Sequence, residues 1–353
     1  YAVWQQEQMG TDSINKQEQY WLQVFEGEIP VLKLATDYPR PEVQTFEGSR
    51  LSFTADARMA RKVKEIAERT DSTLYMVLLA AYNIMLSKYS GQNDIVVGSP
   101  IAGRVHADVL NMTGLFVNTL AMRNAPEGTK TFLSFLQEVR KGALAAYENQ
   151  AYPFEELVEK LQVRRDINRN PLFDTMFVLQ NMEMEKLQLD ELDIQAYPFE
   201  SKIAKFDLTL EAVELEEGIE FQLEYNTNLF KAQTITRMSD HFIHILEAIT
   251  LKPEQSLREI EMITEEEKRQ IREAFNATKA EFPKDKTIQS LFEDQVCNTP
   301  DRIALEHKGK QLTYQELNER ANQLARTLRS RGVKQDQIVA IMMDRSLEMV
   351  ISI

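Results

Sequence analysis

The chain has 353 residues, 43% of them hydrophobic, and a net charge of −14. That apolar content suits packed cores and excludes a disordered chain, and the length fits about two domains. The charge excludes a nucleic-acid surface, which needs clustered Lys and Arg. The single Cys297, read as an incidental thiol, excludes an internal disulfide framework, as in a reducing cytosol.

In chain order, residues 16–25 place Tyr20, Trp21, Val24 and Phe25 at helical spacing. Residues 50–55 alternate as a strand, 57–68 read as a polar-faced helix and 73–88 as a more buried one. The run from Leu74 to Leu86 is interrupted by Asn83 and is shorter than the ~20 residues that span a bilayer, so no membrane segment is expected. Strands follow at 94–100, ended by Gly98 and Pro100, and at 116–122. A helix at 131–147 carries Phe132, Phe135, Leu136 and Val139. Three more strands are predicted at 173–179, 205–213 and 219–225, then a helix at 234–249 with Ile235, Met238, Phe242, Ile245, Leu246 and Ile249 on one face. Strands separated by helices predict a mixed α/β layer, without repeats or low-complexity tracts.

The composition changes at 262–286, where a charged helix beginning at Thr264 and an extended stretch before Pro283 read as a connector. A second pattern follows: helix 288–296, strand 301–306, a turn at Gly309, and a capping box with Thr313 as N-cap and Glu316 at N3. The helix it opens repeats Leu317, Ala321, Leu324 and Leu328 and ends with Gly332 at C′. Residues 338–342 are then a fully apolar strand, the start of a second α/β domain.

Four short motifs stand in series: Tyr-Ala-Val-Trp at 1–4, Gly-Leu-Phe-Val-Asn-Thr-Leu at 114–120, Gln-Ala-Tyr-Pro-Phe-Glu at 150–155 and Arg-Asp-Ile-Asn-Arg-Asn-Pro-Leu-Phe at 165–173. In this order and spacing they resemble the C-terminal half of a condensation domain of a nonribosomal peptide synthetase, over residues 1–262. Further on, Leu312-Thr-Tyr-Gln-Glu-Leu, preceded by Thr299-Pro-Asp-Arg-Ile-Ala-Leu and followed by Val339-Ala-Ile, resembles the opening of an adenylation domain of the acyl-adenylate-forming superfamily, over 287–353. Residues 263–286 would be the linker between them. With no initiator Met and a last run, Met349–Ile353, that carries no terminating signal, the chain reads as a fragment at both ends.

The resemblance implies a C-terminal lobe of the chloramphenicol-acetyltransferase type, followed by the first part of an adenylation domain. It implies an enzyme that joins two carrier-bound thioesters into a peptide bond, in a tunnel between this lobe and an N-terminal condensation lobe missing here. The family's His-His-x-x-x-Asp-Gly motif belongs to that missing lobe, so no catalytic residue is expected in the fragment, which alone should be inactive. Phosphopantetheine on upstream and downstream peptidyl carrier domains, and ATP with Mg for the incomplete adenylation domain, are the implied cofactors and partners. The expected setting is cytoplasmic biosynthesis of a peptide antibiotic or lipopeptide. Two other readings share the fold: a non-catalytic carrier-docking module and an epimerase-type relative.

Within that resemblance Trp4 either packs around the missing motif or is a core aromatic. Arg104 either forks onto the Asp of the missing motif or is a surface charge. Asn118 either offers its amide to the tunnel or bonds backbone. Arg165, Asp166, Arg169 and Asn170 read as an ion and amide network before Pro171, and Pro153 as the N1 residue of a helix. His106, His241, His244 and His307 are scattered without metal-ligand spacing, and neither a Gly-rich phosphate loop nor a Gly-x-Ser-x-Gly elbow is present.

Overall fold

The computed structural model describes residues 2–104, 106–110, 112–163, 166–180 and 201–353. It falls into two compact units, Tyr1–Arg272 and Glu273–Ile353.

The first unit opens with α1 (Ala2–Gln8) and α2 (Asp12–Val24), the latter capped by Thr11, whose hydroxyl accepts from Ile14 N. β1 (Gly48–Asp56) leads directly into α3 (Ala57–Arg69), where Asp56 closes the strand and caps the helix by accepting from Met59 N at 2.7 Å. α4 (Leu74–Ser90) is apolar on every side, and Met76 to Leu86 are all buried. Such a helix needs neighbours all round. It packs against α3, α5 (Phe132–Glu148) and α7 (Ala232–Leu251), and against strands β2 (Ile95–Ile101) and β4 (Thr175–Gln180).

β3 (Asn118–Asn124), β5 (Leu208–Leu215) and β6 (Gly218–Asn226) complete a sheet of six strands among the described residues, in the order β1-β6-β5-β4-β2-β3. β2 and β4 run parallel, as do β4 and β5, and the other neighbours are antiparallel. β6 buries Phe221 and Leu223 on its core-facing side, and Phe221 stacks on Phe53 of β1 and meets Phe242 of α7 edge-on, both with centroids 5.2 Å apart. Gly98 of β2 has no room for a side chain, because a Cβ there would overlap the ring of Phe173.

The expected α/β alternation of this unit is present, with edges displaced by a few residues. The strand expected from 116 begins at Asn118, and α6 (Phe154–Lys160) takes Pro153 as its N-cap rather than as its first helical residue. After α7 the chain does not leave the unit at once. Leu257 and Ile260 are buried, and α8 (Glu265–Arg269) is capped reciprocally by Thr264 and Glu267.

The second unit contains α9 (Ile288–Asn298), a hairpin of β7 (Ile303–His307) and β8 (Lys310–Thr313), α10 (Tyr314–Ser330) and α11 (Leu347–Ser352). The capping box at Thr313 and Glu316 forms as expected, with Thr313 N donating to Glu316 Oε2 at 3.0 Å and Glu316 N to Thr313 Oγ1 at 3.2 Å. Gly332 takes a left-handed φ of +96° at C′. Its N–H donates to Arg329 O while Val333 N donates to Leu328 O, the paired bonds of a Schellman ending.

One expectation fails: residues 338–342 form no strand, and Ile338 and Met342 are 99% and 96% exposed. A strand without a neighbour has no ladder to satisfy its backbone, however apolar its side chains.

Candidate functional site

The motif residues converge on the turn between α5 and α6. Asn118, first residue of β3, donates its amide to Gln150 O at 2.9 Å and Tyr152 O at 2.8 Å, and its Oδ1 accepts from Phe154 N at 3.1 Å and Thr119 N at 2.8 Å. All its hydrogen-bonding capacity is therefore spent on backbone. Asn118 also borders the cavity that this turn helps to wall.

α2 grips the same turn from the other side. Gln17 accepts from Ala151 N and Tyr152 N, each at 3.1 Å, Trp21 Nε1 donates to Asn149 O at 2.9 Å, and the Tyr152 hydroxyl donates to Glu18 at 2.9 Å. Burial, then the neighbouring Glu18 and Glu156 carboxylates, push the Tyr152 phenol well above its ordinary range, so it stays a donor. Trp21 lies one helical turn beyond the adjacent Gln17 and Glu18, so one face of α2 meets the turn. Gln17 and Glu18 were not singled out by the sequence. Their only signal was that spacing.

This turn is one wall of a cavity of about 370 Å³, whose other walls are Trp4, Gln5 and Gln17 from the two N-terminal helices and Gly103 with Leu115–Asn118. Trp4 is 39% exposed and therefore stands at the cavity rather than in the core. Beside it Leu115 and Val117 are also largely exposed, an apolar face of the kind that marks an interaction site. Gly103 has φ +63°, and a Cβ there would collide with Phe116 O, so only glycine lets the two loops approach.

Arg104 follows directly. Its Nη1 donates to Val109 O and, at 3.3 Å, to Leu110 O, and its guanidinium lies 4.4 Å from the centroid of the Phe116 ring. Its partners among the described residues are thus the carbonyls of Val109 and Leu110 and the ring of Phe116.

The fourth motif lies elsewhere, at the start of β4. Arg169 pairs with buried Asp174 and donates to Leu32 O at 3.2 Å, Asn170 Nδ2 donates to Lys205 O at 3.0 Å, and Arg169 N donates to Asp166 O at 3.2 Å. The Asp166 side chain is exposed, and Arg165 lies outside the described residues. The network has a larger half that the sequence did not reveal: Arg40 forks onto Asp207, one arm at 3.0 Å, and donates to Asn168 O at 3.3 Å. Burial, then the neighbouring Asp207, raises the Asp174 carboxyl above its ordinary range despite Arg169 and Arg40, and its Oδ1 finds no donor. A hollow of about 850 Å³ borders this cluster. Its polar lining includes Arg169 and Asp174, which are paired with each other.

His241 is buried between Tyr89 and Glu267: Nδ1 is 2.7 Å from the Tyr89 hydroxyl and Nε2 2.8 Å from Glu267 Oε2. A carboxylate only accepts, so Nε2 donates to Glu267. Burial works against the Glu267 carboxylate, but Thr264 N–H and His241 outweigh it and hold its pKa below the usual range. No group of three or more His, Cys, Asp and Glu able to hold a metal ion occurs among the described residues. Nor is any described helix long and apolar enough to cross a membrane.

The condensation-domain family model matches residues 1–272, and the model described as AMP-binding enzyme matches residues 292–353. The chain belongs to the condensation-domain family. Gramicidin S synthase 2 of Brevibacillus brevis is 53% identical over 355 residues, and tyrocidine synthase 3 of Brevibacillus parabrevis is 53% identical over 353; both alignments take in 100% of this chain. The chain spans 8% and 5% of those two relatives' lengths. Among solved structures it resembles a holo four-domain nonribosomal peptide synthetase bound to AMP and glycine, with TM-score 0.80 and 24% identity over 94% of this chain and 26% of that one. The X-domain from teicoplanin biosynthesis also shares the fold, with TM-score 0.69 and 22% identity over 74% of this chain and 61% of that one.

Proposed function

We propose that this chain is the part of a modular peptide synthetase in which a carrier-bound aminoacyl or peptidyl thioester is joined to an amine on the next carrier. One observation carries the reading: Trp4, the Leu115–Asn118 run and the Gln150–Pro153 turn, from three separate motifs, line a single cavity. The parts we assign are a condensation lobe at 1–262, a connector at 263–286 and the opening of an adenylation domain at 287–353, within a cytoplasmic multienzyme making a peptide antibiotic or lipopeptide.

In the reaction the acceptor nitrogen attacks the thioester carbonyl, the new C–N bond replaces the C–S bond, and the donor thiol leaves with a proton. Catalysis of this kind rests on orientation, so walls that fix the two thioesters matter more than a nucleophile. Trp4 supplies a flat apolar wall. Asn118 and Gln17 fix the opposing turn, and Arg104 holds Val109, Leu110 and Phe116 together. The carriers' phosphopantetheine arms are amide-bearing chains, and the amide side chains of Gln5, Gln17 and Gln150 at the cavity suit them. Residues 287–353 offer no acidic cluster or phosphate loop among those described, so ATP and Mg enter no step here.

Arg104 is the residue whose loss should damage condensation most. Its fork onto the Asp of a His-His-x-x-x-Asp-Gly motif in the partner lobe remains part of this proposal. In the intact condensation-adenylation-carrier module, Arg104→Ala should lower dipeptide formation about a hundredfold, the effect of misplacing a positioning loop by ~1 Å. Amino-acid adenylation, assayed in the same preparation, should be unchanged. Dipeptide formation near the wild-type rate would overturn the assignment.

A further inference from the structure

The cavity at Trp4 is almost devoid of charge. Its walls are apolar side chains, amides and a hydroxyl, and among the described lining residues Glu155 alone is ionisable. Glu155 stands in the first turn of α6 beside Glu156, which does not line the cavity. No cation and no hydrogen-bond donor is paired with the Glu155 side chain among the described residues, whereas Glu18 of α2 pairs with Lys160 of the same α6. Two roles compete for it. A carboxylate in a first helical turn offsets the helix dipole, a task Glu156 shares. A lone negative charge at a neutral cavity also attracts one kind of group above others, a cation small enough to enter.

We infer that Glu155 captures the protonated α-amine of the acceptor aminoacyl thioester, a residue that selects ammonium-bearing acceptors and brings them into the cavity. The inference rests on the condensation reading above. Glu155 is not the base of the reaction. A carboxylate beside an amine favours its protonated form, so the proton must be lost after capture and farther in. Glu155 therefore acts on acceptor binding and leaves the chemical step alone.

The test uses the intact condensation-adenylation-carrier module with a carrier-loaded donor and an aminoacyl-pantetheine thioester as soluble acceptor. Glu155→Gln should raise the acceptor KM about two- to five-fold, the size of an exposed ion pair, with kcat unchanged. Glu156→Gln removes the same first-turn charge and should leave KM as it is. The wild-type KM should also climb as ionic strength rises from 0.05 to about 0.5 M, and the Glu155→Gln KM should not, because salt screens only the charge that is present. Equal shifts in both variants, no shift in either, or a wild-type KM indifferent to salt would overturn the inference and leave the glutamate as a helix-end charge. A wild-type module that adenylates its amino acid but forms no dipeptide would instead bring down the condensation reading, and this inference with it.

Discussion

The segments 95–97 and 338–342 read alike as short, wholly apolar strands, yet they end in opposite states. Ile95, Val96 and Val97 are at most 3% exposed, held between antiparallel β3 and parallel β4. Ile338 is 99% exposed and lies in no ladder among the described residues. Intrinsic preference is therefore not what separates them. A strand is made by its neighbours, since apolar side chains supply the drive for burial but only a paired ladder satisfies the backbone.

The sharpest way to break that comparison is amide hydrogen exchange. Residues 95–97 should exchange only on global opening, at the ~5–15 kcal/mol typical of whole domains, and 338–342 with almost no protection. Equal protection of the two segments would show that 338–342 has found a partner.

Next in size is the distant pairing that seats the inner strands. Asp207→Ala strands Arg40 half-buried beside Asp174, at a cost of about 3–5 kcal/mol in urea unfolding of the first unit. A loss below about 1 kcal/mol would place the Arg40–Asp207 fork among surface pairs. Smaller is Asn118→Ala, which leaves two carbonyls and an N–H of the turn without their partner and should cost about 1–3 kcal/mol. The acid limb of stability should show the slightest effect. Because the folded Glu267 carboxyl titrates below its ordinary value of 4.5, its contribution is present above that pH and is lost as pH falls through the lowered folded value. Glu267→Gln should flatten the stability profile there, and an unchanged acid limb would dismiss the Tyr89–His241–Glu267 chain as a clasp.

Local signals were legible from the residues. Helical periodicity located α3, α4, α5 and α7, the Thr313–Glu316 box and Gly332 delimited α10, and three of the four motifs marked the cavity walls. What escaped were partners far apart in the chain. Arg40 and Asp207 are 167 residues apart and look like ordinary surface charges until β5 is placed. Asn118 could not be assigned between cavity and backbone, because its three carbonyl and N–H partners in the turn lie 32 to 36 residues away. α11 was missed for a different reason: an apolar run reads as a chain end unless Ser346, which accepts from Met349 N at 3.2 Å, is recognised as its cap. Glu155 stood inside a quoted motif, but its isolation at the cavity is a property of the surrounding residues.

The register of β1 with β6 sets a timetable for synthesis. Of the described strands of this sheet β1 is made first, and its partner among them, running from Asn226 opposite Gly48 to Gly218 opposite Asp56, is made last. Until β6 emerges, the ladder side of β1 has no strand to pair with among those described, and closing so long a loop is the slow kind of folding step. A ribosome paused shortly before β6 would hold an unpaired strand within reach of its counterparts on neighbouring nascent chains, so on a polysome the speed of translation through 180–226 should govern how much of this unit aggregates.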